Sequence, residues 1–145
     1  MKKLLLVVVC FCLSNLTSAQ SKFDSWAELK TFHTVMSQTF HPSEEGDLKP
    51  IRARAVELHE KSVALAKSKV PTQFDNDEIR KSVINLEKGC DELKTLVAKK
   101  GTDADVTKKL SDVHDVFHTI VEKCTHKAGD GHNHDGHNHD GHNHN

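Results

Sequence analysis

Residues 76–124 read NDEIRKSVINLEKGCDELKTLVAKKGTDADVTKKLSDVHDVFHTIVEKC, and this stretch decides the fold. Apolar side chains recur in it at alternating steps of three and four residues, the period of an α-helix with one buried face. The pattern breaks near Gly101, the predicted left-handed residue that ends one helix, and Thr102, the predicted N-cap of the next. It therefore predicts a hairpin of helices over 76–100 and 103–124. The two apolar stripes are Ile79, Val83, Leu86, Cys90, Leu93, Val97 and Val106, Leu110, Val113, Phe117, Ile120, Cys124.

Two further helices are predicted upstream, over residues 23–40 and 48–69. Their predicted N-terminal caps are Ser25 and Asp47, and Asp75 takes the same role for the third helix. Short connections between amphipathic helices predict an all-α, antiparallel up-down-up-down four-helix bundle over residues 20–126. The upstream stripes are Trp26, Leu29, His33, Met36, Phe40 and Leu48, Ile51, Ala55, Leu58, Ser62, Leu65.

The N-terminal residues 1–19 have the pattern of a secretory signal peptide. Lys2 and Lys3 precede an apolar run, and the small residues Ser18 and Ala19 fit a cleavage site. The run is too short to cross a membrane as a helix. The sequence thus predicts a secreted or periplasmic protein with no membrane span after cleavage.

Composition excludes several classes of function. Loss of Lys2 and Lys3 with the signal peptide leaves 18 basic against 21 acidic residues, a net charge of −3 with histidine neutral. Nucleic-acid binding needs a basic excess, so no nucleic-acid partner is expected. The chain contains no phosphate-binding loop, nucleophile elbow or His-Glu-x-x-His motif, and we expect no enzymatic activity.

Residues 127–145, hereafter the tail, differ sharply from the rest of the chain. The pentapeptide Asp-Gly-His-Asn-His occurs three times, over residues 130–134, 135–139 and 140–144. Nothing apolar follows Ala128, so the tail cannot bury itself and is predicted to be disordered without a ligand. Neutral imidazole binds Zn(II), Ni(II) and Cu(II), whereas Cu(I) prefers the sulfur that the tail lacks. Metal binding is therefore predicted at His132, His134, His137, His139, His142 and His144; the alternatives are a solubilising end and an affinity tag.

A second metal site is predicted inside the bundle. His114 and His118 are four residues apart on one helix, so their rings project from one face. His33 lies on the predicted core stripe of the first helix, and all three fall within ~10 Å along the bundle axis. His59 flanks the second helix. The alternative is that these histidines are ordinary core or boundary residues.

The architecture resembles that of the periplasmic cytochrome b562 and cytochrome c′ bundles. The segment Glu122-Lys123-Cys124-Thr125-His126 lacks the Cys-x-x-Cys-His motif of the c-type proteins, so covalent haem is not expected. The resemblance to the b-type proteins implies Met36 and either His114 or His118 as haem ligands. Haem-binding electron carrier and metal-independent envelope adaptor thus stand as alternatives to a divalent-metal-binding protein that serves an envelope transporter.

The two cysteines of the mature chain are predicted not to pair. In the hairpin register, Cys90 and Cys124 lie ~16 Å apart along the axis, whereas a disulfide needs Cα atoms within about 7 Å. Cys90 is expected to be buried and unreactive. Cys124 is expected at a frayed helix end, where it would react with thiol reagents and join two chains as a dimer.

Overall fold

The computed structural model describes residues 25–126, and these form four helices. They are α1 (Ala27–Glu44), α2 (Lys49–Lys67), α3 (Asp77–Ala98) and α4 (Asp103–His126), with no strand in this part of the chain. Each helix packs against the next, and α1 also contacts α4 over a smaller area. The predicted up-down-up-down bundle is confirmed. The predicted signal peptide and the tail lie outside the described residues.

The core consists of one apolar stripe from each helix. The predicted stripes of α2 and α4 are buried along their whole length, and that of α3 is buried from Ile79 to Leu93. Ser62 is the polar member of the α2 stripe, and its hydroxyl donates to the His59 carbonyl at 2.7 Å. Burial of these stripes, rather than helix propensity, stabilises helices of this length.

The predicted stripe of α1 is confirmed at Trp26, Leu29 and Met36 and wrong at His33 and Phe40. Leu29, Phe32 and Met36 are buried, whereas His33 is exposed and Phe40 only half-buried. The buried stripe has the predicted spacing of three and four but runs through Phe32, because the larger apolar side chain takes the core position. The stripe continues with the polar residues Thr39 and Ser43, whose hydroxyl groups donate hydrogen bonds to backbone carbonyls of α1.

The ends of α1 and α3 also differ from the prediction. Ser25 does not cap α1, which begins at Ala27 and continues through Pro42 to Glu44. Gly46, with φ 86°, then makes the turn that residues 41–46 were expected to form. The N-cap of α3 is Asn76 rather than Asp75, since the Asn76 side chain accepts a hydrogen bond from the Ile79 amide at 3.0 Å.

The α3–α4 turn corrects the role expected of Gly101. The left-handed residue is Lys100, with φ 56°, and the Gly101 amide donates to the Leu96 carbonyl at 2.9 Å. This is a Schellman ending in which glycine follows the left-handed residue. A Cβ at Gly101 would lie 2.5 Å from Leu96 Cδ1, so a larger residue there would require the Leu96 side chain to shift. Thr102 caps α4 as predicted, accepting from the Asp105 amide at 3.1 Å.

The opposite end of the bundle is held by contacts that the periodicity did not indicate. Trp26 Nε1 donates to Ser68 Oγ at 2.8 Å, which ties the start of α1 to the end of α2. Phe74, in the α2–α3 connection, is buried in the core. None of the four described helices is long and apolar enough to span a membrane.

Candidate metal centre

His114 and His118 form a close pair on α4, hereafter the imidazole pair. Their Nε2 atoms are 3.0 Å apart, which confirms that both rings project from one face of the helix. At this separation one ring donates a hydrogen bond and the other accepts it. Two protonated rings would repel each other, so the arrangement favours a pair in which at least one imidazole is neutral.

Aromatic side chains surround the pair at the seam between α1 and α4. The Phe40 ring stacks on His114 with 3.6 Å between centroids and an interplanar angle of 8°. Phe117 meets His118 edge-on, with 5.8 Å between centroids, and its ring also stacks on that of His33 at 5.3 Å. The three predicted bundle ligands therefore lie along this α1–α4 seam.

One ring of the imidazole pair is packed against the protein, and the other is open to solvent. The His114 side chain is 20% exposed and is held against Phe40, whereas His118 is exposed to solvent. Side chains in such a position have restricted orientations and still reach a dissolved ion. The seam thus supplies two imidazole nitrogens at the protein surface rather than a closed interior site.

Electrostatics at the seam favours neutral rings. Partial burial lowers the pKa of His114, and the charge of His118 lowers it further, against the opposing effects of Asp115 and Glu44. The pKa of His33 is lowered for the same first reason, with contributions from His118 and His41. A neutral imidazole offers the lone pair that a metal ion needs.

The structure brings two of the three predicted ligands together and does not assemble a ligand set from all three. The ring of His33 stacks on Phe117. Within residues 25–126 no group of three His, Cys, Asp or Glu side chains is arranged to hold a metal ion. Any ion on the imidazole pair would thus need ligands from elsewhere.

His59 lies in a separate polar network between α2 and α3. Its Nδ1 is 3.3 Å from the Lys94 ammonium, which donates to it, while Nε2 is 3.6 Å from Glu87 and 3.5 Å from Asp91. The lone pair of Nδ1 is therefore occupied, and the Nε2 proton faces two carboxylates. This is the boundary role given above as the alternative for His59.

His41, near the C-terminal end of α1, is paired with Glu44 of the same helix. His41 Nδ1 lies 2.9 Å from Glu44 Oε2, and both side chains are exposed. Both residues are close enough to the imidazole pair to influence the pKa of His114. Their contribution to the seam is therefore electrostatic.

Both cysteines are buried free thiols, so they are unpaired as predicted. Burial raises the pKa of Cys90 to about 12 and that of Cys124 to about 11, which disfavours the reactive thiolate. The prediction of an exposed, reactive Cys124 was wrong because α4 continues to His126 and keeps Cys124 in the core. The predicted dimer joined through Cys124 required an accessible thiol, and this thiol is buried.

The haem ligands implied by the cytochrome resemblance differ in burial, and the alternative ligand His114 is only half-buried. The Met36 side chain is buried among core residues, whereas His118 is exposed on the seam. A haem bound between them would have to displace part of the core.

The six predicted tail ligands, from His132 to His144, lie outside the described residues. Comparison of the chain with protein families, with curated proteins and with solved structures found no match.

Proposed function

We propose that this is an exported protein that binds divalent transition-metal ions, Zn(II), Ni(II) or Cu(II), through the imidazole pair and the tail. It would sequester or buffer the ion or deliver it to a transporter in the cell envelope. The six tail imidazoles supply capacity, and the pair supplies a defined position on a folded surface. No catalysis is proposed.

The observation that carries the proposal is the geometry of the pair. With metal–nitrogen bonds of about 2.0–2.1 Å, nitrogens 3.0 Å apart subtend an angle of about 95° at the ion. This is close to the 90° between neighbouring ligands in tetragonal Cu(II) or Ni(II) sites. A tetrahedral Zn(II) site needs a separation of about 3.3 Å, which a small rotation of the exposed His118 ring provides.

The environment of the pair supports binding of a cation in two further ways. Neutral rings are favoured at His114 by burial, so little proton release accompanies binding there. Asp115 and Glu44 place negative charge nearby, and both would be attracted to a bound dication. His33 is a candidate for an additional ligand only if its ring leaves Phe117.

Metal binding is favoured over the haem alternative by the position of Met36. The imidazole pair needs no rearrangement of the core to accept an ion, whereas haem ligation by Met36 does. A Soret absorption band in the purified protein would contradict this choice. The adaptor alternative predicts no stoichiometric metal at all.

The proposal is tested by titrating the purified mature protein with Ni(II), Cu(II) and Zn(II) and measuring bound metal by elemental analysis. Replacing the six tail histidines with Asn should leave about one bound ion per chain, and adding His114→Asn and His118→Asn should remove it. His59→Asn is the matched control, because its nitrogen is already occupied by Lys94. An unchanged stoichiometry on loss of the pair would contradict a bundle site.

A further inference from the structure

We infer that His114 is the fixed ligand of the imidazole pair, held in place by Phe40 and Asp115, and that His118 is the ligand that adjusts to the ion. Phe40 and Asp115 are thus positioning residues, which act on the ion only through His114. These roles rest on the metal binding proposed above, and they add to it the residues that set which ion the pair prefers.

Phe40 fixes the plane of the His114 ring. The two rings are nearly parallel, with 3.6 Å between centroids and an interplanar angle of 8°. Phe40 is itself half-buried at the α1–α4 seam, so packing restricts its own orientation. The lone pair of an imidazole nitrogen lies in the ring plane, so the stacked ring also fixes the direction in which His114 can bind an ion.

Asp115 acts on the other nitrogen of the same ring. Its Oδ1 atom lies 4.0 Å from His114 Nδ1, which is too long for a hydrogen bond. A negative charge at this place nevertheless favours the neutral tautomer with its proton on Nδ1, and that tautomer leaves the lone pair on Nε2. Carboxylates hold metal-binding histidines in the correct tautomer in this way. The Asp115 side chain is exposed, so it can rotate closer when an ion binds.

The hydrogen bond within the imidazole pair fits this tautomer. The two Nε2 atoms are 3.0 Å apart, so one of them donates and the other accepts. If His114 carries its proton on Nδ1, its Nε2 accepts and His118 Nε2 donates. An ion that binds both Nε2 atoms then requires a change at His118 alone, whose Nε2 proton is lost to solvent while Nδ1 gains one. The pair therefore binds the ion without net proton release.

The surroundings of His118 permit this change. Its side chain is exposed, so solvent can exchange its protons. The ring meets those of His114 and Phe117 edge-on, with centroid distances of 4.3 and 5.8 Å. Neither contact is a parallel stack, so the His118 ring can rotate at a lower cost than the His114 ring.

A fixed His114 makes the pair prefer some ions over others. The separation of 3.0 Å suits the 90° between neighbouring ligands of tetragonal Ni(II) or Cu(II), whereas tetrahedral Zn(II) needs about 3.3 Å. Because His114 is held by Phe40, His118 alone must provide the wider separation. Release of His114 should therefore weaken the binding of Ni(II) more than that of Zn(II).

Binding measurements test the two positioning residues in full-length protein whose six tail histidines are Asn, the parent protein. Phe40→Leu keeps an apolar side chain at the seam but removes the stack. It should raise the Kd for Ni(II) by about 10-fold, the low end for residues that orient a metal ligand, and the Kd for Zn(II) by less. Phe40→Tyr keeps a ring and should retain the parent affinities, while Asp115→Asn should weaken both ions. The control is Phe74→Leu, a buried residue of the α2–α3 connection, which should lower stability without changing either Kd.

A measurement on the metal-free parent protein tests the tautomers directly. The nitrogen NMR chemical shifts of the imidazole rings distinguish a protonated from an unprotonated nitrogen. We expect the proton of neutral His114 on Nδ1 and that of neutral His118 on Nε2. In the Asp115→Asn variant, the other tautomer of His114 should increase. This readout does not depend on whether the protein binds metal.

The outcomes separate the positioning roles from the function on which they rest. If the parent protein binds Ni(II) and the variants at Phe40 and Asp115 bind it with the same Kd, the proposed function stands and the positioning roles are refuted. Equal weakening of Ni(II) and Zn(II) binding by Phe40→Leu would overturn the preference between ions. A proton on Nε2 of metal-free His114 would overturn the fixed ligand whether or not the pair binds an ion. If the parent protein binds no Ni(II), the bundle site of the proposed function itself fails.

Discussion

Metal binding at the imidazole pair should stabilise the bundle by an amount that can be calculated in advance. The perturbation is Ni(II) at 100 times its measured Kd, added to full-length protein whose six tail histidines are Asn. The two Nε2 atoms are held 3.0 Å apart only while α4 is folded, so the ion binds the native state in preference to the unfolded chain. Such preferential binding stabilises the folded protein by about 2.7 kcal/mol.

The expected change in melting temperature follows from the size of the bundle. A free energy of 1 kcal/mol shifts the Tm of a domain of about 100 residues by ~4 °C or more, so the Tm should rise by roughly 10 °C. Circular dichroism at a helical wavelength measures the transition. The His118→Asn variant is the control, because removal of an exposed ring should change the metal-free stability by no more than about 0.5 kcal/mol.

The calculation would be refuted by either of two results. An absent shift at saturating Ni(II) would mean that the pair does not bind preferentially in the folded state. An equal shift in His118→Asn would mean that the ion stabilises the protein through groups other than the pair. Binding of Ni(II) to the unfolded chain would reduce the shift in both proteins, so the difference between them is the decisive quantity.

Four further predictions concern the tail, pH and the thiols. Deletion of residues 129–145 should leave the helical signal and Tm nearly unchanged while removing most metal capacity, and a large loss of helix would show that the tail packs on the bundle. Metal on the tail should be released below roughly pH 6, where imidazole with a pKa near ~6.5 becomes protonated; retention at pH 5 would indicate other ligands. The folded-state pKa of His33 and of His114 lies below the ordinary 6.5. The metal-free protein should therefore be fully stabilised above pH 6.5 and lose stability as the pH falls below it. A Tm that does not change between pH 7 and pH 5 would contradict this sign. Native-state alkylation should leave Cys90 and Cys124 unmodified, with both thiols reacting after denaturation; modification of either in the folded protein would contradict its burial.

Periodicity predicted most of the fold because it reports which residues share a helix face. The predicted stripes of α2 and α4 are buried at every position. In α1 two adjacent rows have the same three-and-four spacing, one through Phe32 and one through His33 and Phe40. Spacing alone cannot choose between them. The volume and apolar character of Phe32 decide the choice, and these are properties of packing against the other helices.

Helix ends were less predictable because several residues compete for each cap. Asp75 and Asn76 are both suitable N-caps, and the backbone geometry selects Asn76. At the α3–α4 turn the positive φ belongs to Lys100, and a side chain at Gly101 would instead meet the side chain of Leu96. Cys124 was placed at a frayed end because the apolar stripe stops there, although α4 extends two residues further.

The candidate site shows where local spacing suffices and where it does not. A separation of four residues on α4 is enough to predict that His114 and His118 meet, since both belong to one rigid element. Whether His33 joins them depends on the rotation of a second helix, and the phase of α1 directs its ring onto Phe117. That same rotation brings Phe40 against His114, where it holds one ring of the pair in place. The rotation of α1 thus explains both why His33 does not join the imidazole pair and why one ring of that pair is packed against an aromatic side chain.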